Sequence, residues 1–455
     1  MSERTGFVDG SLCACNGQTV EAAIAGLVAS APMVRKTSSF DRAAVLDWVA
    51  AGLAAQAEDI ARALADEADY LTVKDMRLEV QRAIEVFTLT AAYARTGMSE
   101  VLNVDAVERA RGAFSYVKRE PIGPILGITA YNGPLLIAAH KIAPAIAAGA
   151  PILIKPSPRV PKSAIRLAQA VVEAGWPAGA IAVVDVDNDT TMALVRDGRL
   201  PVISFTGGEV GWKIKEMAPL KRVHLELGGV GAVFVAADGN VETAAAECAA
   251  GGFVRSGQSC ISVQRIYVER PKYQAFVDAF VAEVNGMARM KGNANAIGPM
   301  VDTAAAERVE GVIRDALAKG ARIACGGVRE EDYIAPTVVV DADGTMSLMR
   351  KEVFGPVVAV APVDSADEAI AEMNAVSGAI HHGVYTADLD LALRLCDEIR
   401  AGGVIVNGPG TWRVDTMPYG GTGTSGFGRE GVRYAVEEYT EPKVIVIRPS
   451  RPAGR

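Results

Sequence analysis

Cys260 closes the run Arg255-Ser256-Gly257-Gln258-Ser259-Cys260, and Glu226 precedes it by 34 positions (260 − 226) in Leu225-Glu226-Leu227-Gly228-Gly229. A cysteine reached through a short glycine-containing turn can be presented at the mouth of a pocket, where its thiolate attacks a carbonyl. A carboxylate on a separate strand end can serve as base for that thiol or for water. The pairing suggests covalent thiol catalysis. Asn132, in Thr129-Ala130-Tyr131-Asn132-Gly133-Pro134, directly follows the apolar run Pro124 to Ile128. Its amide therefore stands where a buried strand opens into a loop, a place from which it can donate to a developing oxyanion. A cysteine in apolar company is ordinarily an inert core residue, so the surrounding segments must carry the case.

Those segments have a regular rhythm. Between about 124 and 230, short apolar runs at 125–128, 152–154, 181–184, 202–205 and 223–227 alternate with stretches of helical spacing at 135–148, 162–174 and 191–197. The alternation predicts βαβ units and a parallel sheet covered on both faces. A similar rhythm runs from Ala232 to about Ile405, with helices near 272–287 and 304–319. Residues 20–96 read as a helical lead-in, 113–119 as a half-exposed strand, and Val444-Ile445-Val446-Ile447 as a closing strand. Without a Pro/Ser-rich linker the two halves are expected to pack closely.

The 455-residue chain has room for two or three domains, and its 50% hydrophobic and 22% charged residues fit an ordinary soluble protein. The formal net charge of −8 argues against nucleic acid or an anionic membrane as partner, so any affinity for an anion must be local. Six cysteines and four histidines show no metal-ligand spacing, and no metal is expected; the absence of a disulfide-like framework, of a signal sequence and of a long apolar span points to the cytoplasm. The adjacent His381-His382 reads as structural, since neighbours on a strand point apart.

The segments Asn132-Gly133-Pro134, Lys155-Pro156-Ser157, Phe205-Thr206-Gly207-Gly208, Glu226-Leu227-Gly228-Gly229, Gly257-Gln258-Ser259-Cys260, Glu352-Val353-Phe354-Gly355-Pro356 and Pro418-Tyr419-Gly420-Gly421 follow in one order. In that order and spacing the chain resembles the NAD(P)-dependent aldehyde dehydrogenase superfamily over nearly its whole length. The resemblance implies an α/β fold: a Rossmann-type cofactor domain (1–105 and 124–230), an α/β catalytic domain (231–415) and a small β oligomerisation element (106–123 and 435–455), assembled as a homodimer or homotetramer. Little precedes the first helix at Val20, and a trimmed N-terminal hairpin is the expected reason.

The implied reaction is oxidation of an aldehyde to the acid. Cys260 is the expected nucleophile, Glu226 the base for the hydrolytic water, and Asn132 with the Cys260 backbone N–H the oxyanion donors. Lys155, Ser157, Gly207, Gly208 and Gly211 are expected along NAD or NADP, with Glu352 and Phe354 at its nicotinamide end. Pro158 stands where a ribose-binding glutamate is common, which permits NADP, with Arg159 as a suggestive phosphate partner. Two departures stand out. The glycine turn Gly207-Gly208-Glu209-Val210-Gly211 is one residue short, so the phosphate-facing helix is expected to sit differently. Arg255 replaces a common Asn, where it activates the thiol, touches substrate or braces a neighbouring loop.

Gly133 replaces a bulky residue and opens the pocket. Arg82 and Arg413 fall where relatives acting on phosphorylated, phosphonate or carboxylate aldehydes place arginines, whose planar forks match such groups. The segments around Cys260 and Arg413 are most similar to the lactaldehyde, phosphonoacetaldehyde and phosphonoformaldehyde dehydrogenase-like branch. The competing readings are a CoA-acylating or acyl-phosphate reductase relative, which retention of Glu226 opposes, and a non-catalytic homologue, which retention of both Cys260 and Glu226 opposes.

Overall fold

The computed structural model describes residues 4–287 and 296–449; the first three residues of the expected cofactor segment and the last six of the expected oligomerisation element lie outside them. The apolar runs are strands because both their faces are covered. Ile125–Ile128, Ile152–Lys155, Ile181–Val184, Val202–Thr206 and Arg222–Glu226 form the parallel centre of an eight-stranded sheet, buried at every position but Arg222. Prolines at the first turn start two of the connecting helices, Pro134–Ala148 and Pro161–Glu173, where the missing N–H costs nothing.

Across the sheet the order is Gly426–Phe427, Arg222–Glu226, Val202–Thr206, Ile125–Ile128, Ile152–Lys155, Ile181–Val184, Thr5–Val8, Ser11–Ala14. The chain reverses direction of winding between Ile125–Ile128 and Val202–Thr206. A crevice opens beyond the carboxyl ends of strands at such a switch point, and sheets of this kind bind ligands there. Ile128 pairs with Phe205 and Thr206 with Glu226, so the Asn132 loop, the Gly207-Gly208 turn and Glu226 emerge side by side.

The N-terminal hairpin expected to be trimmed has two four-residue strands: Thr5–Val8 pairs with Ser11–Ala14 and extends the sheet against Ile181–Val184. The overlooked signal is Asp9-Gly10, both at positive φ (49° and 77°), the two-residue turn whose twist suits a hairpin. The first helix accordingly begins at Gly17 rather than Val20, capped by the Asn16 side chain.

A second sheet takes seven strands between Ala232 and Val406, parallel except for the edge strand Arg322–Cys325. Thr440–Ile447, Phe114–Pro121 and Ser99–Leu102 form a third, antiparallel sheet. That sheet starts before residue 106, because Ser99–Leu102, at the end of the segment expected in the cofactor domain, pairs with Phe114–Pro121 instead. Of the lead-in helices, Val73–Thr96 reaches the crevice, with Glu79 and Arg82 one turn apart on the same side. Among the described residues no helix is long and apolar enough to cross a membrane.

Candidate active site

Cys260 is delivered by a left-handed turn. After the helix Val241–Phe253, Arg255, Ser256 and Gly257 all take positive φ (52°, 56° and 69°). Two non-glycine residues there cost on the order of 1 to 3 kcal/mol each, so the turn needs support from outside. The Ser256 hydroxyl donates to the Gly298 carbonyl at 2.5 Å, and Gln258 Oε1 accepts from the Val301 amide at 3.0 Å. Gly257 is obligatory, since a Cβ there would lie 2.1 Å from the Gly355 carbonyl oxygen.

A cavity of about 280 Å³ lies over the turn and brings Asn132, Glu226, Cys260, Glu352, Phe354 and Tyr419 together with Arg82, Arg255 and Arg413. Asn132 Nδ2 donates to the Gln258 carbonyl at 3.0 Å, tying the Asn132 loop to the Cys260 turn at the cavity. The Cys260 Sγ is 2.8 Å from the Tyr419 hydroxyl. Burial, then the Glu226 charge, pushes the thiol well up, while Tyr419 and Arg413 pull it down.

Glu226 is fully buried with Oε1 lacking any hydrogen-bond partner. Burial first, and the nearby Glu430 second, raise it to about 8, with Arg413 and Lys141 acting against them. Glu430 is held low chiefly by Lys141. The Lys141 ammonium, itself fully buried, donates to Ser204 Oγ (3.0 Å), Thr206 Oγ1 (2.9 Å) and Glu430 Oε1 (3.4 Å). One carboxylate of this pair is thus ion-paired and the other is poised to exchange a proton near neutral pH.

The three arginines line the cavity in different ways. Arg82 Nη2 and Arg413 Nη2 both donate to Asp415 Oδ1, at 2.6 and 3.2 Å, and His140 Nε2 lies 3.3 Å from the same oxygen. The Arg413 guanidinium also lies 3.5 Å from the Tyr419 ring centre. Arg255, expected at the substrate or the thiol, is committed elsewhere. It donates to the Asn132 carbonyl at 2.6 Å and pairs with Glu79 at 3.2 Å, whose other oxygen accepts from the Leu135 and Leu136 amides at the start of the helix. Of its three expected roles the contacts match the brace: a buried carboxylate and the Asn132 loop both take its donors.

A second groove of about 620 Å³ continues past Thr206, Gly207 and Gly208 to Lys155, Ser157 and Pro158, and its wall is completed by Asn188, Thr191, Val210 and Lys213. Its polar ends fit a dinucleotide. Gly208 leaves open space where a side chain would stand, and the helix Val210–Met217 starts beside it without a side-chain cap. Gly211 does not reach this groove: it faces inward, where a Cβ would meet Leu227 at 2.6 Å, so it lets the shortened turn pack its helix on the sheet. Arg159, the suggested phosphate partner, is paired with Asp302 at 2.5 Å. Glu352 accepts from the Gly229 amide at 3.2 Å, and burial raises it to about 7. Phe354, at φ 47°, meets Tyr131 edge-on.

Lys141, Glu430, Tyr419, Asp415 and His140 have no role in the sequence reading. The one legible sign is His140-Lys141, two polar residues in an otherwise apolar helix, Leu135 to Ala148, where a buried ammonium demands partners. His381 and His382 are taken up by the Gly410 carbonyl and the Ala232 amide, each at 3.0 Å.

Residues 4–445 match the family described as Aldehyde dehydrogenase family. Aspartate-semialdehyde dehydrogenase 1 of Pseudomonas canavaninivorans is 38% identical over 411 residues, spanning 89% of this chain and 87% of that protein. The 3-sulfolactaldehyde dehydrogenase of Priestia aryabhattai is 36% identical over 416 residues, 90% and 87% of the two chains. In structure, the glyceraldehyde-3-phosphate dehydrogenase of Methanocaldococcus jannaschii complexed with NADP superposes with a TM-score of 0.90 at 31% identity, covering 95% of this chain and 94% of that one. The motif order, the switch-point crevice and these matches agree: the chain belongs to the aldehyde dehydrogenase family.

Proposed function

We propose that this NAD(P)-dependent aldehyde dehydrogenase oxidises a small anionic aldehyde to its carboxylic acid by covalent thiol catalysis. The carrying observation is the single cavity that joins Cys260, Asn132 and Glu226 to the Arg82–Asp415–Arg413 cluster. The Cys260 thiolate attacks the carbonyl carbon, and the oxygen's negative charge is taken by Asn132 Nδ2 and the Cys260 amide. Lys155, Ser157, Gly207, Gly208, Glu352 and Phe354 would hold NAD(P)+, which would supply the hydride acceptor; with the C–H bond broken and its electron pair given up as hydride, the carbon on Cys260 becomes a thioester. Glu226 then takes a proton from water as the water oxygen adds to the thioester carbon; the C–S bond breaks and the acid leaves.

The anionic preference has two supports. Arg82 and Arg413 share one carboxylate, so this cluster at the cavity has one more guanidinium than carboxylates. The relatives named above act, by their names, on aldehydes bearing a carboxylate, a sulfonate or a phosphate. For assembly, the third sheet offers a surface: Val101, Phe114, Val444, Val446 and Ile447 are exposed on it, which favours pairing with a second copy. Six free cysteines accord with a reducing cytoplasm.

The test is Cys260→Ala, assayed with a panel of neutral and anionic aldehydes and each cofactor separately. Turnover and the aldehyde-dependent burst of NAD(P)H should both vanish. A variant with near-normal turnover would remove Cys260 from the chemistry.

A further inference from the structure

No imidazole serves the nucleophile. His140 is engaged with Asp415 and Arg413, and His381 meets the Tyr419 ring edge-on at 5.3 Å while its Nδ1 contacts the Gly410 carbonyl. Cys260 nevertheless sits among carboxylates. Glu226 faces it from the end of Arg222–Glu226, Glu352 from the loop before Val357–Val363, and Glu430 stands behind Glu226. Arg255 belongs to its own turn but is paired with Glu79. The group in hydrogen-bond contact with the sulfur is the Tyr419 phenol, at 2.8 Å, and the cation that acts on the thiol is Arg413.

That phenol is closely fixed. The Tyr419 backbone exchanges hydrogen bonds with Glu430, N–H to carbonyl at 2.9 Å and the reverse at 2.6 Å. Its ring lies between the His381 edge and the Arg413 guanidinium, 3.5 Å from the ring centre. Arg413 is in turn held by Asp415. A cation on the face of a phenol draws density from the ring and strengthens the O–H as a donor.

We propose that Tyr419 is a catalytic residue, whose hydroxyl, with Arg413 stacked on its ring, donates to Cys260 Sγ and holds the nucleophile as thiolate while the thiol proton passes to the Glu226 carboxylate. The S–H bond breaks, an O–H bond forms on Glu226, and the net charge of the cavity is unchanged. The proposal rests on Cys260 being the nucleophile. It gives Arg413 a task for every aldehyde and leaves Arg82 as the arginine free to serve the substrate's anionic group.

The experiment is alkylation of Cys260 by iodoacetamide across pH in the full chain, followed on the Cys260 peptide by mass spectrometry. Tyr419→Phe keeps the ring stack and removes one oxygen. Its alkylation midpoint should rise by about one pH unit, a tenfold loss of thiolate below the midpoint. kcat/KM for a neutral aldehyde should fall about tenfold at pH 7 and recover as pH is raised, whereas a packing defect would lower the rate equally at all pH. Incorporating 3-fluorotyrosine at position 419, a stronger donor with the same shape, should move the midpoint down, which keeps the test decisive if the Phe variant folds poorly. An unmoved midpoint in these variants overturns the role of Tyr419. Cys260→Ala run alongside separates the two claims: retained turnover there sinks the nucleophile assignment itself.

Discussion

Arg82→Ala isolates the anion subsite, because Arg82 touches Asp415 but neither Cys260 nor Tyr419, unlike Arg413. Its side chain is 21% exposed and pairs at 2.6 Å with a carboxylate that is fully buried. Truncating one member of a desolvated charge pair costs about 2 to 5 kcal/mol. Part of the Arg82 charge is already offset by Asp415, so the low end applies to a substrate anion. About 2 kcal/mol corresponds to a loss of roughly 30-fold in kcat/KM. Removing Arg82 takes away the cluster's extra guanidinium, leaving Arg413 against Asp415. The assay compares kcat/KM for a carboxylate- or sulfonate-bearing aldehyde with that for a neutral aldehyde of equal length, at fixed ionic strength. The anionic substrate should lose about 30-fold and the neutral one less than about threefold, with a lowered Tm because Asp415 loses a partner. Equal losses on the two substrates would show Arg82 to be only a structural partner of Asp415, and the anionic-substrate reading would fall with it.

Glu226→Gln should slow turnover at least 100-fold, on the order of the loss when a positioned base is removed, and, since Glu226 also takes the thiol proton, the burst of NAD(P)H at pH 7 should become slower while keeping its amplitude; an unchanged burst rate would confine Glu226 to the hydrolytic step. Because Glu226 is raised to about 8 by burial and Glu430, and the base is its ionised form, turnover limited by hydrolysis should rise with pH from 6 and level off above about 8, and a flat profile with the burst intact refutes this. Lys155 lies near Asp185 and Asp187, and Asp185 keeps a buried oxygen without a partner. Because their charges act on Lys155, which lines the dinucleotide groove, NAD should be preferred and Asp185→Ser should shift the NADP to NAD ratio of kcat/KM upward by about tenfold, roughly 1.4 kcal/mol; an unchanged ratio would exclude Asp185 from cofactor choice.

What was legible in the chain was whatever one strand or one turn specifies. The run Ile181 to Val184 could be read to the residue because buried parallel strands are continuous apolar words bounded by polar ones. Glu226 stood out because it ends such a word, Asn132 because it lies in the loop after one, and Cys260 because it closes a glycine-containing turn. The hairpin at Asp9-Gly10 was hidden by its brevity: four-residue strands with polar outer positions carry little alternation. Lys141 and Glu430 were illegible for another reason. They are 289 positions apart, and only the packing of the tail beneath the crevice makes them partners. Arg255 shows the same limit, since its neighbour Cys260 suggests thiol chemistry but its actual partner, Glu79, comes from a helix far upstream.

The buried charges of the site form two linked sets. Glu79 with Arg255, and Glu430 with Lys141, are paired away from solvent; burial still pushes Glu79 up and Lys141 down, while Glu430 is held low chiefly by Lys141, and each pair lies one contact behind a proposed site group, Asn132 in the first case and Glu226 in the second. Cys260, Glu226 and Glu352 line the cavity without a salt bridge among the described residues, and the proposed reaction requires the first two to change protonation. A buried ion pair resists titration because breaking it strands a charge, whereas Glu226, raised to about 8 by burial and Glu430, can exchange a proton near neutral pH. On this argument Lys141→Met acts mainly through Glu226 rather than through folding. Freed of its cation, Glu430 would take up a proton, its repulsion of Glu226 would fade, and the alkaline limb of the turnover profile would move while the alkylation of Cys260 remained. The position of that limb, rather than the rate at a single pH, therefore reports how the paired charges tune the unpaired ones.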